Sequence, residues 1–165
     1  MKHLITLILL FFVADQMCAQ SNVATIKLDN QIFLTGTVET FDPTKHTYDT
    51  CDTGLGWRSF CLIDNKIWFG SDSGMELPRN QLTNLKIKID GQVISLDVAG
   101  MYNPNWDNTL RREQFLIKKG EVGYYLYAFF SDGAGTYTVH WKIVKGNSIR
   151  LKISNDDSDF FWQTE

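Results

Sequence analysis

The sequence is poor in the residues that most often carry chemistry. It holds three histidines, three cysteines and three prolines in 165 residues. No Gly-x-Ser-x-Gly elbow is present. A nucleophilic centre needs an oriented base beside an exposed nucleophile. His46 lies in the polar stretch FDPTKHTYDTCD near Asp42 and Asp49, and His140 lies among polar neighbours in an alternating run. Neither reads as such a base, and no catalytic residue or cofactor is assigned. Basic charge is equally scarce. Sixteen Lys and Arg face nineteen Asp and Glu, for a net charge of −3, with no Lys/Arg run. Nucleic acid is therefore not an expected partner, because its binding rests on clustered cations.

Two further absences narrow the reading. The acidic run SNDDSDFFW places Asp156, Asp157 and Asp159 close together. It lacks the regular spacing and central glycine of a calcium loop. It reads as a solvated turn, and no metal site is assigned. Long hydrophobic runs are also missing. The longest, Leu4 to Val13 (LITLILLFFV), spans ten residues, too few to cross a hydrocarbon layer of roughly 30 Å as a helix. Met1-Lys2-His3 precedes it, and a polar stretch ending in Ala19 follows. That order is the pattern of a secretory signal peptide at residues 1–19. Cleavage after Ala19 leaves one domain at 20–165, without stable membrane insertion. Gln16-Met17 before Cys18 do not fit a lipid-modified cysteine, which wants small residues there. The product is expected to be exported, either periplasmic or secreted.

What remains agrees with export. Cys51 and Cys61 form an even pair, expected as a structural disulfide in an oxidising compartment. The bond would close a loop of about ten residues around the mobile DTGLGWRSF segment, for roughly 2–3 kcal/mol in the chain-entropy account.

No stretch after residue 19 shows helical periodicity; apolar residues recur with period two between turn signals. In LKIKIDGQVISLDV, Asp90-Gly91 predicts a two-residue hairpin turn. Pairing across it sets Ile87 opposite Ile94 and Leu85 opposite Leu96, with Lys86, Lys88 and Ser95 towards solvent. A meander follows, with strands over Gly123 to Ser131, Thr136 to Val144 and Ser148 to Ile153. Tyr137, Val139, Trp141 and Ile143 share one face, and Ile149, Leu151 and Ile153 are expected to repeat it. Further strands are predicted at Ala24 to Leu28, Ile32 to Val38, Ser59 to Ile63, Lys66 to Phe69 and Gln114 to Lys118. Nine or ten antiparallel strands without crossover helices predict an all-β domain, an antiparallel β-sandwich or else a small closed β-barrel.

Aromatic residues are plentiful, with five Trp. Trp68 and Trp141 sit in strand patterns and are expected in the core. Trp57 and Trp106 sit in loops, where an exposed indole beside Asn and Asp could stack on a sugar ring. The other conspicuous segment is FFSDGAGTYTVHW. Two heavy strands meet at a tip with almost no side chain, and Gly133 and Gly135 there suit a tight hairpin. A narrow tip on stiff strands can enter a cleft at little ordering cost.

Ser131 to Tyr137 (SDGAGTY) resembles the small-residue loop of bacterial periplasmic lysozyme inhibitors. Ser131, Gly133, Gly135, Thr136 and Tyr137 match, with Thr136 where that family tends to have Ser. Asp132 departs from the pattern. The resemblance implies a hairpin that enters the cleft of a lysozyme-like hydrolase. The leading expectation is thus an exported, non-catalytic binding protein that docks through Ser131, Asp132, Gly133, Gly135, Thr136 and Tyr137. The alternatives are a carbohydrate-binding or cell-surface module using Trp57 and Trp106, and a small barrel holding an apolar ligand.

Overall fold

The computed structural model describes residues 21–72, 74–105, 107, 109–156 and 158–160. The expected signal segment, Trp106 and Asp157 lie outside the described residues. Among the described residues there are eleven strands: β1 (Ser21–Asp29), β2 (Ile32–Thr40), β3 (Tyr48–Asp52), β4 (Arg58–Ile63), β5 (Lys66–Ile67), β6 (Asn80–Ile89), β7 (Gln92–Ser95), β8 (Phe115–Gly120), β9 (Gly123–Phe130), β10 (Tyr137–Val144) and β11 (Asn147–Ser154). They form two four-stranded sheets, ordered β1-β2-β6-β7 and β11-β10-β9-β8, and a small sheet ordered β3-β4-β5.

The two larger sheets make a β-sandwich. Their inner faces share one core that includes Leu34, Leu85 and Ile87 from the first and Leu126, Phe130, Val139 and Trp141 from the second, all fully buried. Alternation along each strand produces this layer, because successive side chains point to opposite faces. The edges meet through side chains. Ser148 Oγ donates to Ser95 O at 2.5 Å, and Arg112 Nη2 donates to Leu28 O at 3.1 Å. No backbone ladder joins the two sheets into a barrel.

The Asp90-Gly91 hairpin forms as its sequence predicts. Both turn residues have positive φ, Ile87 pairs with Ile94, and Leu96 N donates to Leu85 O at 2.9 Å. Trp68 and Trp141 are buried. The last strand departs from expectation. A bulge opposite His140 and Trp141 leaves Leu151 as the extra residue, so Trp141 pairs with Arg150, and Lys142 pairs with Ile149. Ile149 and Leu151 are consequently exposed, at 64% and 54%, and only Ile153 returns to the core side. Arg150 takes the inward register position and binds Asp97 at 3.1 Å and Ala99 O at 2.6 Å.

The small sheet is an excursion between β2 and β6, which are neighbours in space. Its strand β3 has no apolar alternation, which is why only β4 and β5 are legible in the sequence. Cys51 and Cys61 are bonded across the β3–β4 hairpin, with Cα atoms 5.8 Å apart. The bridge sits where the register slips, since Asp49 faces Leu62 and Thr50 faces Phe60. A second, smaller cluster of Phe41, Ile63, Trp68 and Tyr102 lies beneath this sheet, with Tyr48, Phe60 and Leu77 packed against it.

Candidate functional site

The expected docking tip joins β9 to β10. Ser131 opens it in a left-handed conformation, φ 64°, its amide donating to Pro104 O at 3.2 Å. Gly133 to Gly135 then make a single 3-10 turn. Thr136 closes the turn, with its Oγ donating to Gly133 O at 2.9 Å. Asp132, Gly133 and Ala134 are exposed, whereas Gly135 is buried.

The burial of Gly135 has a clear cause. Asp72, from the segment after β5, accepts a hydrogen bond from Gly135 N at 2.6 Å. A Cβ at position 135 would lie 2.7 Å from that carboxylate oxygen and 3.1 Å from the Ser71 carbonyl carbon. The glycine is needed because another chain segment passes directly over it. Tyr137 follows the alternation of β10 onto the core face, not the docking place that the resemblance implied. It is fully buried, and its hydroxyl donates to Tyr102 O at 3.0 Å. Burial pushes that hydroxyl well above its ordinary range, so it stays a donor. The exposed tip is therefore Asp132 to Ala134, with Ser131 and Thr136 half-buried at its sides.

Beside the tip lies a small open hollow lined by residues that include Gly70, Asp72, Arg79, Asn80, Asn103 and Ser131. Asn103 organises it. Its Oδ1 accepts from Arg79 N at 2.9 Å and Asn80 N at 3.3 Å, and its Nδ2 donates to Gly70 O at 2.7 Å. Asn103 has φ 43° and Gly70 φ 104°, so three left-handed residues, counting Ser131, converge here. Conformations of this kind in residues other than glycine cost energy and gather at functional sites. Asn80 adds a second cost: its Oδ1 is buried without a hydrogen-bond partner.

The segment from Gly70 to Gly74 links this hollow to the small sheet. Gly74 O accepts from Phe60 N of β4 at 2.7 Å, and Gly74 N donates to Ser71 Oγ at 2.6 Å. One short segment thus braces the β9–β10 tip on one side and the disulfide-bonded hairpin on the other. Asp72, Asn80 and Asn103 carry this architecture without having been singled out in the sequence. The only local signal is the Gly/Ser/Asp cluster at 70–74.

Trp57 lies at the end of the β3–β4 hairpin and is 37% exposed. Its carbonyl accepts from Thr53 N and Thr53 Oγ1. The second expected platform, Trp106, lies outside the described residues, so the two indoles cannot be set side by side. The remaining polar candidates have structural places. His46 Nδ1 meets Asp64 Oδ2 at 2.6 Å, and the ring stacks on Phe41 with centroids 4.6 Å apart. His140 is half-buried against Tyr127, and burial pushes its imidazole below the usual range. Asp156 accepts from Ser158 N and Oγ, while Asp159 pairs with Lys152. Among the described residues, no group of three or more His, Cys, Asp or Glu is arranged to hold a metal ion.

Comparison with family models, with curated proteins and with solved structures gives no match. The functional reading accordingly rests on the geometry of this one chain.

Proposed function

We infer that the protein is an exported, non-catalytic binding protein that docks through its β9–β10 tip, with the cleft of a lysozyme-like hydrolase as the target. The observation that carries this reading is the anchoring of the tip. Asp72 holds Gly135 from a segment distant in sequence, leaving Asp132, Gly133 and Ala134 exposed on a support that is already ordered. A tip fixed before binding loses little entropy when it enters a cleft. The hollow alongside, lined by Asp72, Arg79, Asn103 and Ser131, puts polar groups at the same end of the molecule. Asp132 favours targets whose cleft presents a donor or a cation at that point.

The test is inhibition of a panel of lysozymes by the protein and by an Ala134→Trp variant. Ala134 is exposed, so the variant thickens the tip without entering the core. Inhibition by the parent protein and its loss in the variant support the reading. Equal inhibition by both, or none by either, removes it.

A second reading, binding to a glycan, is favoured by the exposed indole of Trp57. A stacked sugar would change intrinsic tryptophan fluorescence in a titration, and Trp57→Ala would abolish the change. A flat titration across a broad sugar panel counts against this reading.

A further inference from the structure

The β3–β4 hairpin has a property that neither core packing nor the anchored tip explains. Its loop displays Leu55 at 77% exposure, the most exposed large apolar side chain among the described residues. Leu55 stands between Gly54 and Gly56, where an added Cβ would meet nothing within 4 Å. Such a loop would ordinarily be mobile, yet it is braced. Thr53 N and Oγ1 bond Trp57 O at 3.1 and 2.7 Å, Gly54 N bonds Asp52 Oδ1 at 2.8 Å, and Leu55 N bonds Thr53 Oγ1 at 3.3 Å. The Cys51–Cys61 bond then ties the two strands just behind it. Apolar exposure continues at the base. Ile67 pairs with Leu62 of β4, and Met75 follows Gly74, whose carbonyl bonds β4; both side chains are exposed. A chain that stiffens its most exposed apolar loop has removed the entropy cost of using it.

We propose that this stapled arm is a protein-docking element, seating Leu55 and Trp57 in an apolar socket rimmed by cationic side chains on a partner protein. The chemistry of the arm selects that occupant. An aliphatic knob needs a shaped apolar pocket, and Leu can neither stack on a sugar nor hydrogen-bond to it. The collar is acidic. Asp49 and Asp52 are exposed on β3, and the one cation of the hairpin, Arg58, is turned back onto Thr50 through Nε at 2.9 Å and Nη2 at 2.5 Å. An acidic collar repels an anionic bilayer surface and repels the same collar on a second copy; it attracts a basic rim. The inference rests on the reading that this is a non-catalytic docking protein. It does not depend on the identity of the target.

The test places a photo-crosslinking amino acid at position 55, and separately at Val93, an exposed apolar residue on β7, in the protein expressed in its native cells. The expected result is one protein adduct from position 55 and none from position 93. The adducted partner, once purified, should bind about thirtyfold more weakly to Leu55→Ser, as hot-spot truncations do. Binding should also weaken as salt is raised from about 0.05 to about 0.3 M. A variant carrying both Cys51→Ala and Cys61→Ala should bind more weakly while its sandwich amides remain protected. An adduct with glycan, lipid or a second copy overturns the proposal. So do equal adducts at both positions, no adduct at either, or a partner indifferent to Leu55→Ser. The two readings fail differently. A protein partner captured at position 55 that binds Leu55→Ser more weakly, together with no inhibition of any lysozyme, removes the inhibitor reading and leaves the arm standing. Lysozyme inhibition lost in Ala134→Trp, with no protein adduct at position 55, removes the arm and leaves the inhibitor.

Discussion

The sandwich and the small β3-β4-β5 sheet are both antiparallel ribbons, but different forces hold them. Between the sandwich sheets lies a continuous layer that includes Leu34, Leu85, Leu126, Phe130 and Trp141, all fully buried. Beneath the small sheet, the buried cluster among the described residues is Phe41, Ile63, Trp68 and Tyr102. β3 is exposed along nearly its whole length. The missing burial is offset by a covalent bond, by the Asp64 contacts to His46 and Thr47, and by the Gly74–Phe60 backbone bond. Small units that cannot bury enough surface depend on staples of this kind. The consequence for function is direct: the weakly buried region is the one that carries the exposed loop and borders the hollow.

The largest expected effect tests whether the two regions are energetically separate. Trp141 is fully buried and donates from Nε1 to Asp97 O at 3.0 Å. Trp141→Ala should cost about 3–5 kcal/mol of global stability, read as a lowered denaturation midpoint. Trp68 is the corresponding indole under the small sheet, with Nε1 donating to Phe60 O at 3.1 Å. Trp68→Ala should release amide protection in β3 and β4 while β9 and β10 keep theirs. Equal loss of protection in both regions would show one cooperative unit and dissolve the comparison.

Loss of the disulfide sharpens the same point. Cys51 and Cys61 are ten residues apart in sequence, and cutting their link should cost about 2–3 kcal/mol by the loop-entropy account. That cost should fall on the hairpin. Hydrogen exchange across 48–63 should accelerate in the double Cys→Ala variant, with little change in the thermal midpoint of the sandwich. A large drop in that midpoint would mean that the staple supports the whole molecule.

How far the sequence foretold each region follows from the range of the interactions involved. The Asp90-Gly91 hairpin was legible because turn chemistry and the apolar alternation of Leu85, Ile87 and Ile94 act within a dozen residues and agree. The disulfide was legible from an isolated pair of cysteines. β3 was not, since Tyr-Asp-Thr-Cys-Asp buries neither face and so leaves no periodic trace. Ile149 and Leu151 misled because a bulge against His140 and Trp141 reverses which side of β11 faces inward. The anchor of the tip was invisible because Asp72 reaches Gly135 across 63 residues. Nothing near either residue announces the contact.

That anchor provides a smaller test, at the place where the two regions touch. Asp72→Ala removes the shorter of the two acceptors of Gly135 N, leaving Asp132 O at 3.2 Å, and should cost about 1 kcal/mol locally, the net worth of a typical hydrogen bond. The expected readout is faster exchange of the Gly135 and Thr136 amides. If the tip works as proposed, weaker inhibition should accompany it. Asp72→Asn keeps a carbonyl acceptor and should restore most of the protection. Unchanged exchange in Asp72→Ala would mean that the hairpin orders itself without the brace.

The smallest effect is expected from acid, and it should divide the regions by their charged contacts. The hydroxyl of Thr44, then Lys45 and the Thr44 amide, hold the Asp42 carboxyl down at about 2. The Thr47 amide and then His46 lower Asp64. Both carboxylates clamp the 42–47 loop, whose neighbour Phe41 belongs to the cluster beneath the small sheet. A folded-state value below the unfolded one stabilises above the ordinary carboxylate range, and that contribution is lost as pH falls towards the folded value. As pH falls from about 4 towards 2, then, the Thr44 amide resonance should shift with Asp42, and that of Thr47 should shift below the ordinary carboxylate range as Asp64 takes up its proton. Those of Leu126 and Val139, fully buried in the apolar cluster between the sheets, should hold still. Asp42→Asn should remove the Thr44 transition and spare that of Thr47. Movement of the sandwich resonances at the same midpoint would show that the staples and the core report a single equilibrium.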